Sequence, residues 1–131
     1  MTYRFPLLFA GISGFCCVAL GAFGAHWLND VLTERNSRHI WETAVHYQFI
    51  HTLALFLTAL WLKSQGEAPH ARLIWAARWW ALGLVLFSGS LYGLALGGPR
   101  ILGPITPLGG LSLLMGWGSL IAAGLQRETS R

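Results

Sequence analysis

Four long segments without Asp, Glu, Lys or Arg dominate this sequence, and they cover residues 5–28, 43–62, 79–98 and 101–126. About 20 helical residues, rising roughly 1.5 Å each, cross the ~30 Å hydrocarbon core of a bilayer. A surface helix of a soluble domain would keep one polar face, whereas these segments are apolar all round. The sequence therefore predicts an all-α fold, an integral membrane bundle of four transmembrane helices over those ranges.

The composition agrees with a chain that has little soluble structure. Only 11% of the 131 residues are charged, where an ordinary soluble domain has about a quarter. Since the connections between the apolar segments are short, we expect a single transmembrane domain over residues 1–131. A secretory signal is the alternative interpretation of the first segment, although the apolar core of a signal has only about 7–15 residues.

The basic residues indicate membrane orientation rather than a nucleic-acid partner. The formal net charge is +4, but Lys and Arg stand singly at helix ends and form no basic patch. The side of the membrane richer in Lys and Arg is the cytoplasmic one, and six such residues oppose three. Both termini are therefore predicted to be cytoplasmic. The six are Arg4, Lys63, Arg72, Arg78, Arg127 and Arg131, and the three are Arg35, Arg38 and Arg100.

Tryptophans are expected near the two membrane interfaces, where an amphipathic indole is best placed. Trp27 and Trp41 are predicted to lie at the outer interface. The inner interface is predicted to hold Trp61, Trp75, Trp79 and Trp80.

Small residues recur at helical spacing in three of the four segments. Helices associate in lipid through close van der Waals approach, which small residues permit. We predict that these residues pack the helices of one bundle together, with a homodimer interface on one such face as the alternative. The predicted helix-packing residues are Gly14, Gly21, Gly24, Gly89, Gly93, Gly97, Gly109 and Gly116.

Seven polar residues are predicted to share a layer between the midplane and the outer surface. A polar side chain that faces lipid without a partner is costly, so these groups are expected to face inward. One hypothesis makes them mutual hydrogen-bond partners that hold the helices together. The other makes them a candidate site for a small ligand, a proton path, a lipid headgroup or haem. The seven are His26, Tyr47, His51, Ser88, Ser90, Tyr92 and Thr106.

No cofactor, metal or catalytic residue is predicted. Haem held by His26 and His51 is the alternative, but no CxxCH motif is present and the two histidines differ in expected depth. His39, Glu42 and His46 share one helix face, but a di-iron bundle uses Glu-x-x-His on two helices, and here one Glu has a His four residues later without a second copy. Hydrolase, zinc-protease and nucleotide-binding motifs are missing from the sequence, which predicts no enzyme activity.

Four motifs together suggest a family. They are GAFGAH at 21–26, YQFIHTLAL at 47–55, LFSGSLY at 86–92 and TPLGG at 106–110. In this order, and in a chain of this length, they resemble the family of small bacterial inner-membrane proteins called domain of unknown function 423. The resemblance implies a four-helix protein of the bacterial inner (plasma) membrane and supplies no biochemical activity.

The leading functional hypothesis is a non-enzymatic structural, accessory or assembly subunit of the membrane. Its expected partners are membrane lipids and either further copies of itself or a larger membrane complex, and no nucleic acid. The alternatives are a ligand, haem or lipid-headgroup site in the outer half of the bundle, and small-molecule transport.

Overall fold

The computed structural model describes residues 3–66 and 70–126, and within them the chain is helical with no β-strand. Its helices are α1 (Arg4–Ala25), α2 (Asn29–Glu34), α3 (Arg38–Ser64), α4 (Ala71–Ala95) and α5 (Leu102–Gly124). All of them except α2 are long and apolar enough to cross a membrane, which confirms the predicted all-α fold with four membrane helices. The ends of the predicted domain, with Arg127 and Arg131, lie outside the described residues.

The predicted helix bounds need correction because a segment free of charge is not the same as a helix. The first turns of α4 contain Arg72 and Arg78, and the guanidinium of Arg72 donates to the carbonyl of Ala122 near the end of α5. The last carbonyls of a helix have no partner within it, so this contact satisfies one of them. The observed spans are 4–25 instead of 5–28, 38–64 instead of 43–62, 71–95 instead of 79–98, and 102–124 instead of 101–126.

A glycine in the left-handed region ends α4 three residues before the predicted bound. The amide of Gly98 donates to the carbonyl of Gly93 at 2.8 Å, and the amide of Gly97 donates to Leu94 at 3.0 Å. Gly97 has φ +81°, which a side chain would disfavour. This paired arrangement is the Schellman helix end, and it explains why Gly97 is a turn residue rather than a helix-packing residue.

Helices α3 and α4 form the centre, and α1 and α5 flank them. In the most apolar window of each helix, 50% of α4 residues and 39% of α3 residues are buried, against 22% in both α1 and α5. Along the layer, α1 packs on α3, α3 on α4, and α4 most closely on α5, while α1 touches α4 only sparsely. The flanking helices therefore present most of their surface to lipid.

The short helix α2 closes one end of the bundle, which we call the α2 end. Its Leu32 is fully buried against Trp41 of α3 and Ala95 of α4. The hydroxyl of Ser37 donates to the carbonyl of Ala95 at 2.7 Å, so the connection between α1 and α3 is tied to α4.

Two of the tryptophans predicted for the interfaces are buried between helices. Trp41 is 3% exposed and donates through Nε1 to the carbonyl of Leu20, whereas Trp80 is fully buried between α4 and α5. The predicted depth of a residue along a helix does not say which way its side chain points around the helix axis. Trp27, Trp61 and Trp75 do face outward.

Candidate functional site: the polar layer between the helices

His51 occupies the middle of α3 and uses both of its ring nitrogens. The indole Nε1–H of Trp117 on α5 donates to His51 Nε2 at 3.0 Å. Because an indole can only donate, Nε2 is the acceptor and the ring proton sits on Nδ1, which lies 2.8 Å from the carbonyl of Tyr47. His51 is therefore a buried, neutral imidazole that links α3 to α5.

A chain of hydrogen bonds crosses three helices near His51. The hydroxyl of Tyr92 on α4 donates to Gln48 Oε1 on α3 at 2.6 Å. Gln48 Nε2 donates to the carbonyl of Ser13 on α1 at 3.0 Å, and the hydroxyls of Ser13 and Thr52 lie 2.7 Å apart. Gln48, Ser13 and Thr52 are buried, so the chain joins α1, α3 and α4 inside the apolar region.

Other hydroxyls of the layer pair between neighbouring helices. The hydroxyls of Ser90 on α4 and Thr106 on α5 lie 2.6 Å apart. Ser88 donates to the carbonyl of Ala44 on α3 at 2.9 Å, and Ser112 donates to that of Trp79 on α4 at 2.7 Å. The polar layer thus consists of separate interhelical pairs rather than one cluster converging on a common space.

His26 and Tyr47 depart from the predicted inward cluster. His26 follows the last residue of α1 and is exposed, and its backbone amide closes that helix through Ala22. Tyr47 is 40% exposed, and its ring lies 4.6 Å from that of Phe87 and 6.0 Å from that of His51. Neither residue therefore belongs to the buried hydrogen-bond chain.

The sequence prediction missed Ser13, Gln48 and Thr52 of the hydrogen-bond chain, and also Trp117, the partner of His51. Gln48 and Thr52 stand within the quoted motif YQFIHTLAL, four residues apart, so helical spacing puts them on one face. The side-chain amide of Gln48, in the middle of an apolar segment, could have predicted a buried hydrogen bond between helices. The partner Ser13 leaves no such signal, because a single serine in an apolar helix is common.

The arrangement of the histidines argues against the haem alternative. His51 already accepts from Trp117, and His26 lies at the exposed end of α1. Within residues 3–66 and 70–126, no three His, Cys, Asp or Glu side chains are grouped so as to hold a metal ion. His39 and His46 are both exposed on α3.

Three of the predicted packing glycines lie where helices meet most closely. A Cβ at Gly109 would lie 2.7 Å from the backbone Cα of Phe87, so the backbones of α4 and α5 meet there. At Gly116 it would overlap the ring of Trp80, and at Gly24 the ring of Trp41. Gly83 makes an equally close approach, to Leu113, and was missed because it lies outside the GxxxG spacing.

Apart from the turn residue Gly97, the remaining predicted glycines have more room. A Cβ at Gly14 or Gly21 would make ordinary contacts of 3.6 Å and 3.7 Å, and one at Gly93 would meet only the flexible tip of Leu102. Among the described residues, nothing lies within 4 Å of a Cβ placed at Gly89. The surface of α4 at Gly89 therefore has no protruding side chain, and no other described part of the monomer covers it.

Gly89 lines a crevice of about 310 Å³ where α1 and α4 diverge. Its wall is mostly apolar, with Phe9, Leu20 and Leu84 among the lining residues, and the hydrogen-bonded pair Gln48 and Tyr92 also faces it. The lining also includes Ile12, Ser13, Cys16, Val85 and Ser88.

These features define a polytopic helical membrane protein whose polar side chains pair between helices. The chain belongs to the DUF423 family of proteins of unknown function, whose family model matches residues 20–110. The family resemblance predicted from the four motifs is thereby confirmed.

Similar proteins occur in several bacteria. The UPF0382 inner membrane protein YgdD of Escherichia coli K12 is 43% identical over 126 residues, 96% of this chain and 93% of that protein. A UPF0382 membrane protein of Haemophilus influenzae is 42% identical over 87% of this chain and 88% of its own. One of Staphylococcus epidermidis is 39% identical over 92% of this chain and 94% of its own. No solved structure matches the chain.

The names of these relatives and the four apolar helices together establish location. The protein is a multi-pass protein of the bacterial inner (plasma) membrane, as predicted. The family description states no biochemical role or enzyme activity.

Proposed function

We propose that this protein is a non-enzymatic accessory or assembly subunit that associates laterally with another transmembrane helix through the α1–α4 crevice. That helix belongs to a second copy of the chain or to a larger membrane complex. The observation that carries the proposal is the open surface of Gly89, in a crevice where Ser13, Cys16 and Ser88 lie among larger apolar side chains.

Helix association in lipid depends on how closely two backbones can approach. Within the bundle, neighbouring helices already approach this closely at Gly109, Gly116 and Gly24. Gly89 offers an equally smooth surface without a neighbour from the described chain, so a further helix gains contact there without displacing any side chain. The polar layer supports the same function because its groups hold α1, α3, α4 and α5 in a fixed arrangement.

The test is native mass spectrometry after mild extraction from the native membrane. Wild-type protein is expected as a dimer or with a co-purifying membrane protein, and Gly89→Leu is expected to release the monomer. Gly11→Leu is the matched control, because Gly11 is exposed in α1 and also has nothing within 4 Å of its Cβ position among the described residues.

A strictly monomeric wild-type protein without a partner would contradict the proposal. Equal loss of the assembly in Gly89→Leu and Gly11→Leu would contradict the specific role of the crevice. Thermal unfolding of both variants in detergent is measured first, to establish that each variant is folded.

A further inference from the structure

A second groove lies at the α2 end and has a different chemical character. It encloses about 410 Å³ between α1 and α3, within the size range of small-molecule sites. Its apolar wall includes Gly21, Gly24, Trp41, Val45 and Phe49. Arg38, Glu42 and His46 stand on the same groove, so it is apolar along one wall and charged at its mouth.

The mouth holds both signs of charge within a short distance. Arg38 Nε lies 4.0 Å from Glu42 Oε1, one turn apart on α3, and both side chains are largely exposed. The Arg38 guanidinium also donates to the side-chain oxygen of Asn29 on α2. An exposed pair of this kind contributes little to folding stability, so both groups are free to exchange partners with a ligand.

The length of the groove fits one leaflet of a bilayer. Phe49 follows Arg38 by eleven residues on α3, or roughly 16 Å along the helix axis. The hydrocarbon core is about 30 Å thick, so half of it is about 15 Å. A lipid whose headgroup lies at Arg38 and Glu42 would therefore place an acyl chain along Val45 and Phe49 down to the middle of the membrane.

We infer that this groove binds a zwitterionic aminophospholipid of the phosphatidylethanolamine type. Its phosphate matches the guanidinium of Arg38, and its primary ammonium matches the carboxylate of Glu42. The first turn of α3 adds to the attraction for the phosphate, because it carries no acidic residue and the hydroxyl of its N-cap Ser37 is turned to Ala95. A purely anionic lipid lacks the ammonium, and a choline headgroup has no N–H to donate. The site is separate from the α1–α4 crevice and does not depend on the proposed lateral association.

Native mass spectrometry of the full chain measures the lipids retained from an equimolar mixture of phosphatidylethanolamine, phosphatidylcholine and phosphatidylglycerol with identical acyl chains. Wild-type monomer is expected to retain phosphatidylethanolamine about tenfold over the other two, as one charge-assisted hydrogen bond would give. Glu42→Gln is expected to abolish this preference. Arg38→Gln is expected to lower retention of all three lipids.

Glu34→Gln is the matched control, since Glu34 is an exposed carboxylate of α2 at the same end of the molecule and does not line the groove. Its lipid preference should equal that of the wild type. Equal retention of the three lipids by wild-type protein, or equal effects of Glu34→Gln and Glu42→Gln, would overturn the inference. Retention is measured on the monomer, so failure of lateral association leaves this result unchanged.

Discussion

The indole of Trp117 on α5 donates a hydrogen bond of 3.0 Å to Nε2 of His51 on α3. Both helices flank α4, whose Trp80 lies edge-on to Trp117 with ring centroids 4.9 Å apart. Three aromatic side chains therefore connect α3, α4 and α5 inside the bundle. The imidazole in this arrangement orients the helices and keeps a single tautomer.

Replacing Trp117 by phenylalanine is expected to destabilise the folded protein by about 1–2 kcal/mol, because His51 Nε2 loses its donor in a water-poor region. Reversible unfolding in mixed detergent and SDS micelles measures this change. Trp75→Phe is the control, since Trp75 is 51% exposed and makes no hydrogen bond among the described residues. An equal loss of stability in both variants would contradict the role given to the hydrogen bond.

The pair Gln48 and Tyr92 is expected to show energetic coupling. Their side chains are 2.6 Å apart, and interhelical hydrogen bonds in membrane proteins contribute about 0.6 kcal/mol on average and up to about 1.7 kcal/mol. A double-mutant cycle with Gln48→Leu and Tyr92→Phe measures this energy by the same unfolding assay. Strict additivity of the two changes would show that the bond does not hold α3 to α4.

Gly109→Ala is expected to be among the most damaging single-methyl changes in the chain. The new Cβ would meet the backbone of α4 at Phe87, which cannot rotate away as a side chain can. Overpacking of this kind costs about 1–3 kcal/mol. Gly11→Ala places the same methyl group in open space within α1 and should keep or slightly raise the unfolding midpoint, because alanine is the better helix former. A stable Gly109→Ala variant would mean that α4 and α5 lie further apart.

Both termini are expected in the cytoplasm, because the side that they share with the α3–α4 connection has more Lys and Arg. A fluorescent protein fused to the C-terminus should fluoresce, and alkaline phosphatase fused there should be inactive. The same two reporters placed after Gly98, in the α4–α5 turn, should give the opposite results. An active C-terminal phosphatase fusion would reverse the orientation.

Hydropathy predicted the number of membrane helices, because charge and apolar length are properties of each segment alone. It could not place the ends of α4, since Arg72 and Arg78 lie within the helix at its start. Nor could it find α2, whose short polar sequence becomes helical while Leu32 is buried under Trp41.

The site was harder to predict because rotation about each helix axis depends on the neighbouring helices. Periodicity gave Gly89 on the third segment and Gly109 on the fourth the same packing role, yet Gly109 meets another backbone and Gly89 is left open. The predicted depth in the membrane placed His26 and His51 in the same polar layer, although His26 is exposed and His51 is buried. The missed residue Ser13 contacts Gln48 only because α1 presents that face to α3.

Photocrosslinking in the native membrane tests the proposed lateral association most directly. A photoreactive phenylalanine analogue at Val85 would lie one turn from Gly89 in the crevice, and one at Ile121 would serve as the lipid-facing control on α5. Position 85 is expected to give a protein adduct that Gly89→Leu abolishes, while position 121 gives lipid adducts only. Lipid adducts alone at both positions would contradict the claim that a second transmembrane helix occupies the crevice.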